Sequence, residues 1–161
     1  MAKALPRIVV SGGQTGVDLA ALDAALAAGL SVGGWVPRGR TNEAGPIPAL
    51  YPDLREAPSA DPAVRTDLNV RDSDATLILT RPGVESPGTD LTARCARAYG
   101  KPYLTVTLTG DPDREIRAID TWLNIVQPLT LNVAGPRESS APAIGATARM
   151  RLDAVLKPRA R

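Results

Sequence analysis

The chain has no histidine, and that absence excludes more chemistry than any other feature of its composition. Histidine is the usual general base near neutral pH and the commonest metal ligand, so Ser-His-Asp, Cys-His and His-metal sites are impossible. Cysteine occurs once, at Cys95, which can close no intrachain disulfide and build no multi-Cys zinc or iron–sulfur site. Its mid-helix setting between Arg94 and Ala96 suits a small buried hydrophobe, and a reducing, cytoplasmic compartment is expected. Aromatic residues are scarce: Trp35, Tyr51, Tyr99, Tyr103 and Trp122. A stacking platform for single-stranded nucleic acid has no basis in that set, and no nucleic-acid partner is expected. No apolar run approaches the roughly 18 residues of a membrane span, and the opening MAKALPRIVVSGG lacks a signal-length apolar stretch. Neither export nor membrane insertion is expected. Lysine is rare too, with 16 Arg against 3 Lys in a net charge of +2. Arginine forks suit phosphate and carboxylate oxygens, although an Arg- and Ala-rich chain also follows from genome composition.

What is present reads as one globular domain over residues 1–161, with 43% apolar and 22% charged residues. Residues 7–11 (RIVVS) form a short β-branched strand that ends in Gly12 and Gly13, and residues 17–28 follow helical spacing up to Gly29. A second strand is expected over residues 30–36. Residues 37–59 carry five prolines with Gly39 and Gly45, an ordered irregular excursion with one short strand around Leu54 and Arg55. Asp61-Pro62 opens a helix to about Val70, residues 75–80 form a strand, and residues 89–99 form a helix closed by Gly100. A strand over residues 103–108, a helix from Asp111-Pro112 to Pro128, a strand over 129–134 and a helix over 141–156 complete the series. The tail LKPRAR is expected to be solvated. This alternation predicts a doubly wound α/β fold with a mostly parallel sheet of about five strands and helices on both faces.

In such sheets ligands bind beyond the carboxyl ends of the strands, so the loops after the strands are the candidate site. After the first strand, Ser11, Gly12, Gly13, Gln14, Thr15 and Gly16 make a tight turn into a helix whose free amides suit an anion. Its GGxxG spacing, with no following Lys, is neither a dinucleotide fingerprint nor a triphosphatase loop. Before the 89–99 helix, Gly88 and Thr89 repeat the arrangement, and after the 129–134 strand come Gly135, Arg137, Glu138 and Ser139, with Asn132 inside the strand. Three such loops at one sheet edge predict a pocket for a small anionic ligand, with Arg38 as an additional fork. Asn69, Ser73 and Asp74 read as capping and turn residues at the opposite edge, Asn69 alternatively facing a neighbour's site in an oligomer.

Several long segments, IVVSGGQTGVDLAALDAALAAG, GGWVPRGR, NEAGPIPALYP, RTDLNVRDSDATLIL and LNVAGPRES, closely resemble the molybdenum carrier family, in the family's order and over nearly the whole chain. The resemblance implies a Rossmann-like fold related to the lysine-decarboxylase-like, nucleotide-binding superfamily. It implies binding of molybdenum cofactor, a phosphate-bearing pterin, for storage or transfer, by a cytoplasmic homo-oligomer (dimer or tetramer) with no catalytic group. Gln14, Asn132 and Glu138 would then face the pterin. The related phosphoribohydrolases carry PGGxGTxxE, and the matching stretch here, SPGTDLTAR, has Thr92 where the final Glu would stand, with Asp90 or Glu138 as conceivable substitutes. A nucleotide hydrolase and a nucleotide-sensing module without turnover remain the alternatives.

Overall fold

The computed structural model describes residues 3–158. Its strands are β1 (Ile8–Val10), β2 (Ser31–Val36), β3 (Thr41–Asn42), β4 (Gly45–Pro46), β5 (Leu54–Glu56), β6 (Ala75–Thr80), β7 (Tyr103–Thr107) and β8 (Thr130–Ala134). Its helices are α1 (Val17–Ala27), α2 (Pro62–Arg71), α3 (Pro87–Tyr99), α4 (Pro112–Val126) and α5 (Ile144–Leu156). Six strands form one sheet in the order β5-β2-β1-β8-β6-β7, and every neighbouring pair is parallel. The fold is the expected Rossmann-like α/β class with one strand more than five, because β5 joins the edge of β2 in the register Gly34↔Leu54 to Val36↔Glu56.

Punctuation in the sequence explains most boundaries. Asp61 accepts a hydrogen bond from the Ala63 amide and Pro62 follows it, so α2 starts with a capped N-terminus. Asp111 caps α4 in the same way. α3 begins two residues ahead of the expected position, since Ser86 is its cap and Pro87 its first residue. The central strands β6 and β8 are apolar and buried on both faces, with Leu77, Leu79, Leu131 and Val133 out of solvent. α1 packs on α5 and α5 on α4, while α2 packs on α3. The alanines at 20, 21, 24 and 25 are buried, and their small side chains let α1 lie close to its neighbours.

The proline-rich excursion is ordered because it has its own anchors. β3 and β4 pair as a small antiparallel hairpin that the sequence did not announce, and Ile47 and Tyr51 bury their side chains behind it. Burial of a side chain such as Ile47 contributes about 1.5–3 kcal/mol. The Asn42 side chain donates to the Gly13 carbonyl at 2.9 Å, tying the hairpin to the first loop. At the other end of the chain, Leu156 of the LKPRAR tail is buried rather than solvated, Lys157 and Pro158 are exposed, and residues 159–161 lie outside the described residues.

Read from β8 instead of from β1, the sheet runs 4-3-2-1-5-6: strands are added outward on one side and then on the other. The topological switch point therefore lies between β8 and β6, where the loops entering α5 and α3 diverge.

Candidate functional site

At that switch point a cleft of about 310 Å³ opens at the carboxyl edge of the sheet. It brings together Gly12 and Gln14 from the first loop, Gly88 and Thr89 from the start of α3, and Asn132, Gly135 and Arg137 from β8 and its loop. Arg65 and Asn69 add a wall from α2, four residues apart and thus on one helix face. The volume is at the lower end of the range typical of small-ligand pockets.

The first loop differs from an open anion cradle in one decisive respect. Asp18, buried in the first turn of α1, lines the cleft, and its Oδ2 accepts a hydrogen bond from the Gln14 amide at 3.2 Å. The Gly12 amide also faces this carboxylate. The donors expected to hold a ligand anion are thus engaged by an anion of the chain itself. Burial pushes the Asp18 carboxyl up to about 6, against the opposing pull of the Arg65 guanidinium and the two amides. Arg65 is held over the loop by donating from Nη1 to the Gly12 carbonyl at 2.6 Å.

Other residues of this loop stand outside the cleft. The Ser11 hydroxyl donates to the Asp18 backbone carbonyl at 2.9 Å, so it braces the turn into α1. Gly13 has φ +72°, and a Cβ there would lie 2.9 Å from Val36 Cγ1 and 3.0 Å from Ile47 Cδ1. It faces the packed excursion. Thr15 Oγ1 accepts from the Glu138 amide at 3.2 Å, and a Cβ on Gly16 would sit 2.5 Å from the Pro136 carbonyl oxygen. Both residues seal the first loop against the loop after β8.

That second loop divides its polar groups between its own backbone and the cleft. Both Glu138 carboxylate oxygens are engaged, accepting from the Ala143 amide at 2.9 Å and the Gly145 amide at 3.0 Å. Glu138 therefore caps α5, whose own N-cap residue, Ala143, has no side chain to do so. Ser139 donates from its hydroxyl to Glu43 at 2.7 Å, which holds the Glu43 carboxyl below its usual value. Arg137 and Ser140 line the cleft. Arg137 Nε donates to Ser140 Oγ at 3.3 Å and lies 4.0 Å from Glu43, while among the described residues its two Nη groups make no hydrogen bond. Arg38 is exposed elsewhere, donating to the Pro58 carbonyl at 3.3 Å.

The start of α3 is the open end of the cleft. Ser86 and Thr89 hydroxyls bond one another at 2.7 Å, Pro87 has no N–H, and among the described residues no acceptor reaches the Gly88 amide. A Cβ on Gly88 would meet nothing within 4 Å. An unpaired amide at the positive end of a 13-residue helix, on a residue that lines the same cleft as Arg137, makes this the favourable end for negative charge. Thr92 donates to the Gly88 carbonyl at 2.8 Å. Asp90 lines an adjoining groove with Arg81 and Thr105.

Comparison with known proteins joins this geometry to a lineage. The model of the circularly permutated YpsA SLOG family matches residues 9–156. The chain belongs to that family. Permutation is what the sheet order displays, with the last strand, β8, completing the centre beside β1. A crystal structure of a "putative molybdenum carrier protein" from Syntrophus aciditrophicus SB is 39% identical, covers 97% of each chain and superposes with a TM-score of 0.88. No curated protein matches. For this SLOG-family chain, no helix among the described residues is long and apolar enough to cross a membrane, and no three His, Cys, Asp or Glu residues group as a metal site.

Asp18 and Arg65 were missed by sequence reasoning, and Asn69 was placed at the wrong edge of the sheet. Asn69 is buried, and its amide brackets Trp35, accepting from the backbone N–H at 2.8 Å and donating to the carbonyl at 2.9 Å. Ser73 and Asp74 do serve as turn residues: the Ser73 hydroxyl donates to the Asn69 carbonyl, and Asp74 accepts from the amides entering β8. The available signal was the four-residue spacing of Arg65 and Asn69, together with an acid one turn into a glycine-led helix. Cys95 is buried as expected, and desolvation raises its thiol.

Proposed function

We propose that the cleft binds molybdenum cofactor, or a related phosphate-bearing pterin, and that this single-domain chain carries the ligand for storage or transfer without chemical turnover. The observation that carries this reading is the convergence of the unpaired Gly88 amide and the free Arg137 fork on one cleft at the switch point. A terminal phosphate supplies oxygen acceptors to both. Charge-assisted hydrogen bonds of this kind contribute about 1.5–3 kcal/mol each. The name of the 39% identical structure supports molybdenum as part of the cargo. A cytoplasmic homo-oligomer is the setting we propose for it.

Hydrolysis of a nucleoside monophosphate is the second reading, and one observation favours it: a cleft carboxyl, Asp18, titrating near 6. The acids that would replace the missing signature Glu lend it no support, since Glu138 caps α5 and Asp90 lines an adjoining groove that shares Ser86 and Thr89 with the cleft.

Native mass spectrometry of the protein purified from cells that make the cofactor separates the readings. The carrier reading predicts an adduct with the mass of a phosphate-bearing pterin. A nucleotide adduct, or free base released from added nucleoside monophosphates, contradicts it.

A further inference from the structure

Two side-chain acceptors, Asp18 and Asn132, line the floor of the cleft. Asp18 is its only acid, is 6% exposed, and uses Oδ2 on the Gln14 amide. The Gly12 amide and the Arg65 guanidinium also lie near this carboxylate, whose two oxygens keep capacity for further donors. Asn132 is 3% exposed, donates from Nδ2 to Thr76 Oγ1 at 3.3 Å, and has a side-chain oxygen that accepts nothing among the described residues. Both line the one cleft, and the β1–β8 pairing sets Val10, which leads into the loop before Asp18, opposite Asn132. The Asn69 amide spends its oxygen and one of its two N–H groups on Trp35.

Two acceptors on largely buried residues, one of them a carboxylate, keep spare capacity and define what can lie against them. A face that presents acceptors desolvates the carboxylate and offers it no partner beyond the Gln14 and Gly12 amides, which costs more than the hydrogen bonds return. A face carrying two adjacent N–H donors satisfies the floor.

We propose that Asp18, together with Asn132, selects ligands that carry a ring N–H next to an exocyclic amino group. This is the 2-amino-4-oxopyrimidine edge shared by pterins and guanine. The inference rests on the cleft being the ligand site and extends it: the cleft is polarised, with the donor edge of a heterocycle on Asp18 and the anionic group on Gly88 and Arg137. A ligand bound in this sense presents its two ends to opposite electrostatic demands, so phosphate and ring cannot exchange places.

The test is calorimetric titration at pH 7.5 of neopterin monophosphate, guanosine monophosphate, inosine monophosphate and adenosine monophosphate. Inosine monophosphate lacks only the amino group of the guanosine compound, so this comparison requires no variant. Wild type should bind neopterin and guanosine monophosphates at least about tenfold more tightly than the other two, the lower bound for a hydrogen bond to a charged group. The ratio of the first two separates a pterin site from a guanine site. Asp18→Asn should bring guanosine and inosine monophosphates to within about twofold. Equal binding of that pair by wild type, a preference that survives Asp18→Asn, or no binding of any probe overturns the proposal. Gly88→Val, which fills the open end, should remove binding of every probe. If it does so while the preference is absent, only the role of Asp18 fails; if binding persists, the cleft itself is the wrong site.

Discussion

The Asp18 carboxylate accepts the Gln14 amide at 3.2 Å from inside the turn that both residues share. The loop that looks most like a phosphate seat is thereby closed by its own anion, and the proposed function sets the negative end of the ligand at α3 instead. Holding a buried carboxylate there is costly. Its folded value of about 6 lies above the 3.8 of the unfolded chain, so the folded state binds the proton more tightly. Below pH 3.8 the group is protonated in both states and costs nothing. Stability falls as the pH rises from 3.8 to 6, and above 6 the full cost of about 3 kcal/mol persists. Asp18→Asn, which keeps an acceptor for Gln14, should raise the melting temperature by several degrees at pH 8 and by little at pH 4. Thermal melts at both values check this, and an equal or opposite change would show that Asp18 is not held at a cost.

Two glycine substitutions should behave in opposite ways. Gly13→Val places a β-branched side chain at φ +72° and against Val36 and Ile47, so it should destabilise the fold by about 2 kcal/mol or more. Gly88→Val meets open space and should leave the melting temperature within a degree or two. Parallel thermal melts test the pair.

Glu138→Gln should lower stability by about 1–2 kcal/mol, because a neutral amide presents one acceptor to the two α5 amides that the carboxylate now satisfies. Ligand affinity should hold within about twofold. A large loss of affinity at unchanged stability would return Glu138 to the binding site.

Arg137 is expected to act on the ligand rather than on the fold, since its side chain is 55% exposed and its nearest acid is 4.0 Å away. Arg137→Ala should weaken binding of a phosphate-bearing ligand about tenfold to hundredfold. Arg137→Lys should recover part of the loss, keeping charge without the fork. The melting temperature should not move. Intact affinity with a lower melting temperature would make the residue structural.

The fold was legible because the chain is well punctuated. Asp61-Pro62, Asp111-Pro112, Gly29 and Gly100 fall at helix ends, and the apolar run of β6 has the length of a buried strand. The cleft was legible by loop and not by side chain. Glu138 and Ser139 have the composition of ligand groups, yet their oxygens answer local demands, the uncapped start of α5 and the Glu43 carboxylate. Such pairings depend on residues about a hundred positions apart, as for Ser139 and Glu43, and leave no local pattern. Asn69 was misplaced for a related reason. Its partners lie on β2, and a crossing helix can reach that strand only once strand order is known.

In the proposed function the cleft between Gly88 and Arg137 is the seat of the cargo. Titrating freshly released molybdenum cofactor into wild type and into Gly88→Val, with melting temperatures recorded alongside, tests that claim in one measurement. Saturable binding of one cofactor per chain by wild type, and its loss in a Gly88→Val protein that melts normally, is the predicted result. Undiminished binding by a normally folded Gly88→Val protein, or no binding by wild type, would contradict it.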